Sequence, residues 1–190
     1  MAAFEHVILL LSFIYALALT HLLARVGNLI VARARVLFSP LGCVAILNAG
    51  AIVYSNWLAI WDLRGMREWG IVSVTTLFAF SVVVYFVCSV AAPEPGPEGP
   101  IDMEAFFWRN RRPFYALILL CMVLAIVANF AFLTTPNAAL FFEENAATLP
   151  FFIPGVLGLA VPARWAQWVA GAGLLVLTIV FTSVFSYTLH

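Results

Sequence analysis

The chain has 190 residues, 65% of them hydrophobic and 9% charged, and its formal net charge is zero. Soluble domains run at about 45–50% apolar and about 25% charged, so this chain has too little polar surface to cover a water-facing globule, and its neutral balance gives no footing for a nucleic-acid partner. All nine basic residues are Arg, which excludes retinal and pyridoxal-phosphate Schiff bases and a phosphate-binding loop ending in Lys.

A bilayer solvates apolar side chains, and the length suits about six spans of about 20 residues. The expected fold class is all-α, a polytopic transmembrane helical bundle in one domain over residues 1–190. The amino terminus, Met1-Ala2-Ala3-Phe4-Glu5-His6, has an acid where a secretory signal needs positive charge, so the first helix is expected to be retained as a span.

The first helix is expected from about Phe4 to about Ile30, followed by Arg33 and Arg35. Ser39-Pro40 breaks the chain and starts the second, which runs to about Leu63. The third runs from about Ile71 to Ala92. It is rich in Val, Thr and Phe but too long for a strand. Pro93-Glu94-Pro95-Gly96-Pro97-Glu98-Gly99-Pro100 reads as an exposed, extended linker, because proline denies the backbone its donors. Asp102 to Arg112 reads as a short helix on the membrane surface, with acids at its start and Arg109, Arg111 and Arg112 at its end.

Pro113 is expected to open the fourth helix, ending near Thr134-Thr135-Pro136. The fifth, Ala146 to Val161, is interrupted by Pro150 and Pro154 and reads as a short kinked span or a re-entrant segment. Pro162-Ala163-Arg164 turns the chain into the sixth, anchored at the interface by Trp165 and Trp168. With the amino terminus outside, Arg25, Arg33, Arg35, Arg109, Arg111, Arg112 and Arg164 lie inside and only Arg64 and Arg67 outside. The positive-inside rule therefore favours both termini outside and a cytoplasmic segment over 93–112.

Several residue patterns carry candidate chemistry. Ser12, Ala16, Thr20 and Ala24 repeat every four residues on the first helix, a small-residue stripe that lets helices approach closely. It serves either packing within the chain or a dimer contact. Asn48, Ser55 and Asp62 share a face of the second helix, and Thr178, Thr182 and Ser186 a face of the sixth. These line a polar cavity, or else bond to neighbouring helices and to their own backbone.

Glu5, His6, Asp62 and His190 fall at similar depth at the outer end, either as solvated helix ends or as a metal or proton site. His21, Cys43 and Cys88 lie near the inner end with no close ligand spacing, so no metal or other cofactor is expected there. The three cysteines should be free. His21, beside the small-residue stripe, should face the bundle and either bond to another helix or open to water. Gly171-Ala172-Gly173 reads as close packing. Tyr15-Ala16-Leu17 recurs as Tyr115-Ala116-Leu117 in helices of opposite direction, as inverted repeats require.

The stretch Ser12-Phe13-Ile14-Tyr15-Ala16-Leu17-Ala18-Leu19-Thr20-His21-Leu22-Leu23, the Arg-rich turn after it, Asn56-Trp57-Leu58-Ala59-Ile60-Trp61-Asp62-Leu63-Arg64, and Arg109-Asn110-Arg111-Arg112 carry a resemblance. Over its first three-fifths the chain resembles small uncharacterised bacterial six-helix inner-membrane proteins. That resemblance implies no activity and no cofactor. It draws attention to Thr20-His21 and Trp61-Asp62.

The expected function is that of a non-enzymatic integral membrane protein acting as an oligomer or as a subunit of a larger membrane complex, its partners being lipid and other membrane helices. The alternatives are a small-solute or ion transporter with a polar cavity between the second and sixth helices, and a metal- or haem-binding redox protein.

Overall fold

Apolar runs fold as helices in an apolar surrounding because the backbone groups then have no partner except one another. The computed structural model describes residues 3–65, 69–96, 99–132 and 138–186. Seven α-helices follow in order: α1 (Ala3–Val31), α2 (Pro40–Ala59), α3 (Ile71–Ala91), α4 (Met103–Phe132), α5 (Ala138–Asn145), α6 (Phe152–Ala160) and α7 (Arg164–Ser186). Two-residue strands β1 (Val36–Leu37) and β2 (Ile101–Asp102) pair in parallel. Five helices, α1 to α4 and α7, are long and apolar enough to cross a membrane, and Leu149–Ala160 is a shorter apolar stretch.

The start of α2 follows its sequence signals. Ser39 is the N-cap, its hydroxyl accepting from the Gly42 N–H, and Pro40 occupies the first helical position, where its missing donor does no harm. Two expectations are corrected. The surface helix over 102–112 is not separate, because Pro113 lies inside one continuous helix, α4. At 30 residues that helix is about 45 Å long, more than the roughly 30 Å of hydrocarbon. Its charged first turns therefore extend past the apolar length. The described parts of the Pro-rich linker are also tied down. Pro93 and Ile101 are buried, Arg35 Nη1 donates to Gly96 O and Gly99 O, and β2 joins β1.

Contacts fix which ends lie together. Phe4 packs on Trp69 with ring centroids 6.1 Å apart, Ser73 Oγ lies 3.5 Å from Ala131 O, and Asn129 Nδ2 donates to Asn145 Oδ1 at 3.0 Å. These gather the starts of α1 and α3 with the ends of α4 and α5. At the opposite end Arg25 reaches the end of α3, Ser39 meets Glu104, and Arg111 reaches the end of α6. Asn145 thus lies level with Asn129, and Gly158 level with Arg111, eighteen residues earlier on α4. That is about 27 Å of helix. The proline-interrupted stretch therefore traverses the bundle, as a short kinked span does, and does not turn back.

The core runs along Leu11, Tyr15, Ala18 and Leu22 of α1, Val84, Val87 and Cys88 of α3, Tyr115, Ile118 and Cys121 of α4, and Ala170 and Leu174 of α7. Close approach is secured by glycine. A Cβ on Gly171 would fall 2.6 Å from Val44 Cγ1, so the Gly171-Ala172-Gly173 run is indeed a packing feature. A Cβ on Gly158 would fall 2.3 Å from Tyr115 Cζ, which fixes how near α6 can lie to α4.

Gly158→Ala should therefore destabilise the protein by about 1–3 kcal/mol through overpacking. Thermal unfolding in nanodiscs should show the loss, and Gly158→Ala with Tyr115→Leu should regain part of it. An unchanged midpoint for the single variant would contradict this packing.

Candidate functional site

The arginine-rich end is where the chain departs most from a plain apolar bundle. Among the described residues seven arginines and three acids lie there, against one arginine and four acids at the other end, so a neutral chain is strongly polarised along the bundle.

Helix ends decide where these charges go. The last carbonyls of a helix have no intrahelical donor and carry partial negative charge. Arg25 of α1 donates through Nη1 to Ser89 O and Ala92 O at the end of α3, and its Nη2 lies 3.6 Å from Glu94. Arg111 of α4, only 5% exposed, donates through Nη1 to Gly158 O at 2.7 Å and Leu159 O at 3.1 Å, at the end of α6. Gln167 Nε2 of α7 adds bonds to Gly158 O at 3.1 Å and Val161 O at 2.7 Å.

Helix starts at this end meet acids instead. Glu104 accepts from Ser39, the α2 cap, and from Trp108 Nε1, and lies 3.7 Å from Arg164 at the start of α7. Asp102 Oδ1 accepts from Ala105 N at the start of α4.

Just inside this end lies a narrow notch lined by Leu41, Val44, Ala45 and Asn48 of α2, by Phe107, Phe114 and Tyr115 of α4, and by Gln167 and Gly171 of α7. Asn48 Nδ2 bonds to Val44 O and, across helices, to Gly171 O. Asn48 is thus the member of the expected polar stripe that joins α2 to α7. The other stripe members with described side chains satisfy themselves locally: Ser55 donates to Ile52 O, Thr178 to Leu174 O and Thr182 to Thr178 O. The Asp62 side chain, the Ser186 side chain and all of His190 lie outside what the structure describes.

Glu5 and His6 are exposed at the start of α1. Among the described residues no group of three His, Cys, Asp or Glu is placed to hold a metal. Cys43, Cys88 and Cys121 are free thiols. His21 is half-buried, its ring centroid 5.6 Å from that of Tyr85 on α3. The ring turns toward the bundle against an aromatic neighbour, and its Nε2 is buried with no hydrogen-bond partner among the described residues.

The small-residue stripe is a further correction. Ala16, Thr20 and Ala24 are exposed and Ser12 is half-buried. The stripe is not a packing face within the chain, because α1 buries its larger residues Leu11, Tyr15 and Leu22 instead.

The sequence reading used Arg25 and Arg111 only as topology markers and passed over Gln167. A signal was available. Gln167 is the only glutamine in the chain, and it sits at the start of an apolar helix. Arg111→Met should leave Gly158 O and Leu159 O short of donors and lower stability by about 1–3 kcal/mol. Arg111→Lys should recover only part of this, since an ammonium lacks the fork that reaches two carbonyls. Unfolding midpoints of the two variants side by side check this, and a methionine variant as stable as the parent would refute the capping role.

Comparison with protein-family models, with curated proteins and with solved structures gives no match to this chain.

Proposed function

We propose that the protein is a non-enzymatic integral membrane protein of a bacterial inner membrane, with both termini outside, acting as an oligomer or as a subunit of a larger membrane complex. The observation that carries the reading is the outward face of α1. Ala16, Thr20 and Ala24, with Gly27 and Asn28 beyond them, form an exposed strip of small and polar residues. Apart from Gly27's chain neighbours and the nearby backbone of α1 itself, no described atom lies within 4 Å of where a Gly27 side chain would begin.

Lipid chains gain nothing from a groove of small residues, whereas a second helix gains close backbone approach and partners for Thr20 and Asn28. The local self-bonding of Ser55, Thr178 and Thr182 favours this reading over transport, which needs polar groups turned to a continuous path. The polarised arginine distribution supports the orientation, with the arginine-rich end in the cytoplasm.

Ala16→Leu with Thr20→Leu should weaken association by about 1–2 kcal/mol, roughly tenfold in dissociation constant. Native mass measurement in nanodiscs, together with recovery of co-purifying membrane chains, tests this. A parent protein that is monomeric and purifies alone would sink the proposal.

The orientation is tested separately. A cysteine at Gly96, in a chain whose three native cysteines are replaced, should react with an impermeant thiol reagent only after the cells are permeabilised. Labelling of intact cells would reverse the assigned topology.

A further inference from the structure

The notch between α2, α4 and α7 is lined by two buried amide side chains. Asn48 and Gln167 are each 1% exposed. Each has its NH2 held by two backbone carbonyls: Asn48 Nδ2 lies 2.9 Å from Val44 O and 3.0 Å from Gly171 O, and Gln167 Nε2 lies 3.1 Å from Gly158 O and 2.7 Å from Val161 O. Turning either amide over would set its oxygen against those carbonyls, acceptor facing acceptor, so the neighbours decide the orientation. Asn48 Oδ1 and Gln167 Oε1 are therefore left as buried acceptors with no donor among the described residues. Both residues line the same notch.

A sealed acceptor without a donor is unfavourable, and native structures rarely leave one. Two such acceptors on residues that line one small space point to a donor other than the described residues.

The surroundings restrict its chemistry. Two acceptors match a group with two polar hydrogens. Leu41, Phe107 and Phe114 make the remaining wall apolar. Arg111 donates to Gly158 O, the same carbonyl that Gln167 Nε2 uses, so a guanidinium lies beside the amide and repels a second cation. The notch is too tight to admit a water-sized sphere as the side chains stand. The occupant is therefore small and seats by pressing back an apolar wall.

We propose that this notch binds one small uncharged group carrying two polar hydrogens, which donates to Asn48 Oδ1 and Gln167 Oε1: an internal water, or the NH2 of a small primary amide.

Because Gln167 is the only glutamine in the chain, a single isotope label reads the site. The full protein is produced with glutamine carrying carbon-13 at Cδ, held in nanodiscs and washed with amide-free buffer. The labelled carbonyl stretch is compared with labelled propionamide in water and in dioxane, which accepts from an NH2 but donates nothing. The expected result is a water-like band that persists in Tyr115→Phe. A band that is water-like after washing identifies water as the occupant. One that turns water-like only when acetamide is added identifies a solute amide. A dioxane-like band under every condition overturns the proposal. So does a water-like band that becomes dioxane-like in Tyr115→Phe, since the donor would then be the Tyr115 hydroxyl and not a bound molecule. The helical amide band of the same sample reports whether the variant is folded.

Discussion

Backbone carbonyls at helix ends, in a chain with almost no water-facing surface, are the constraint around which this molecule is arranged. Inside a span each carbonyl is satisfied by its own helix, and at the end of a span it is not. A soluble protein leaves such groups to water. Here the ends of α3 and α6 are met by side chains from neighbouring helices, Arg25 from α1 and Arg111 and Gln167 from α4 and α7. Each of these bonds satisfies a terminus and also sets the height of one helix against another. Apolar packing cannot do that alone in lipid, where a Leu gains little by leaving lipid for another Leu.

The same constraint explains the pairing of charge with helix polarity at the arginine-rich end. The ends of α3 and α6 there meet guanidinium groups, and the starts of α2 and α4 meet the carboxylates of Glu104 and Asp102. Since neighbouring spans alternate in direction, starts and ends lie side by side, and so do acids and bases. Glu104 shows the economy of the arrangement. It touches the cap of α2, the indole of Trp108 and the guanidinium of Arg164, and so links α2, α4 and α7. The short pairing of β1 with β2 and the grip of Arg35 on the linker carbonyls close the remaining loops over this end.

Much of the fold was legible because spans are set by a one-dimensional quantity, the length of an apolar run. The bounds of α1 and α3 and the starts of α2 and α7 follow from it closely, Ser39-Pro40 marks a start by known capping chemistry, and the expected run to Leu63 gives way to 3-10 turns after Ala59. What was not legible depended on facing. Pro113 looks like a boundary in sequence, yet an otherwise helical stretch carries it inside α4. The small residues of α1 look like a packing seam, yet the buried face of that helix is the one bearing Leu11, Tyr15, Ala18 and Leu22. A four-residue repeat gives the face on which residues gather but not what that face meets. For the polar stripe, Asn48 fulfilled the expectation of an interhelical bond while the hydroxyls turned back to their own helices. A hydroxyl always has that local option, whereas an amide with two donors has more to place.

Arg111 and Gln167 also explain why a helix as short as α6 is stable where it lies. With 9 residues, two of them glycine and one proline, it is far below the length at which a helix persists alone. Its glycines let Tyr115 and Leu119 of α4 come close, and its open carbonyls are closed by side chains of α4 and α7. The same Gln167 that completes α6 with its NH2 also lines the notch it shares with Asn48. The end of α6, the joint between α2 and α7 and the two buried acceptors are thus one connected piece of polar structure. A change in what those oxygens accept would be felt first at the α2–α7 joint and at the end of α6, because those are the bonds the two amides already hold.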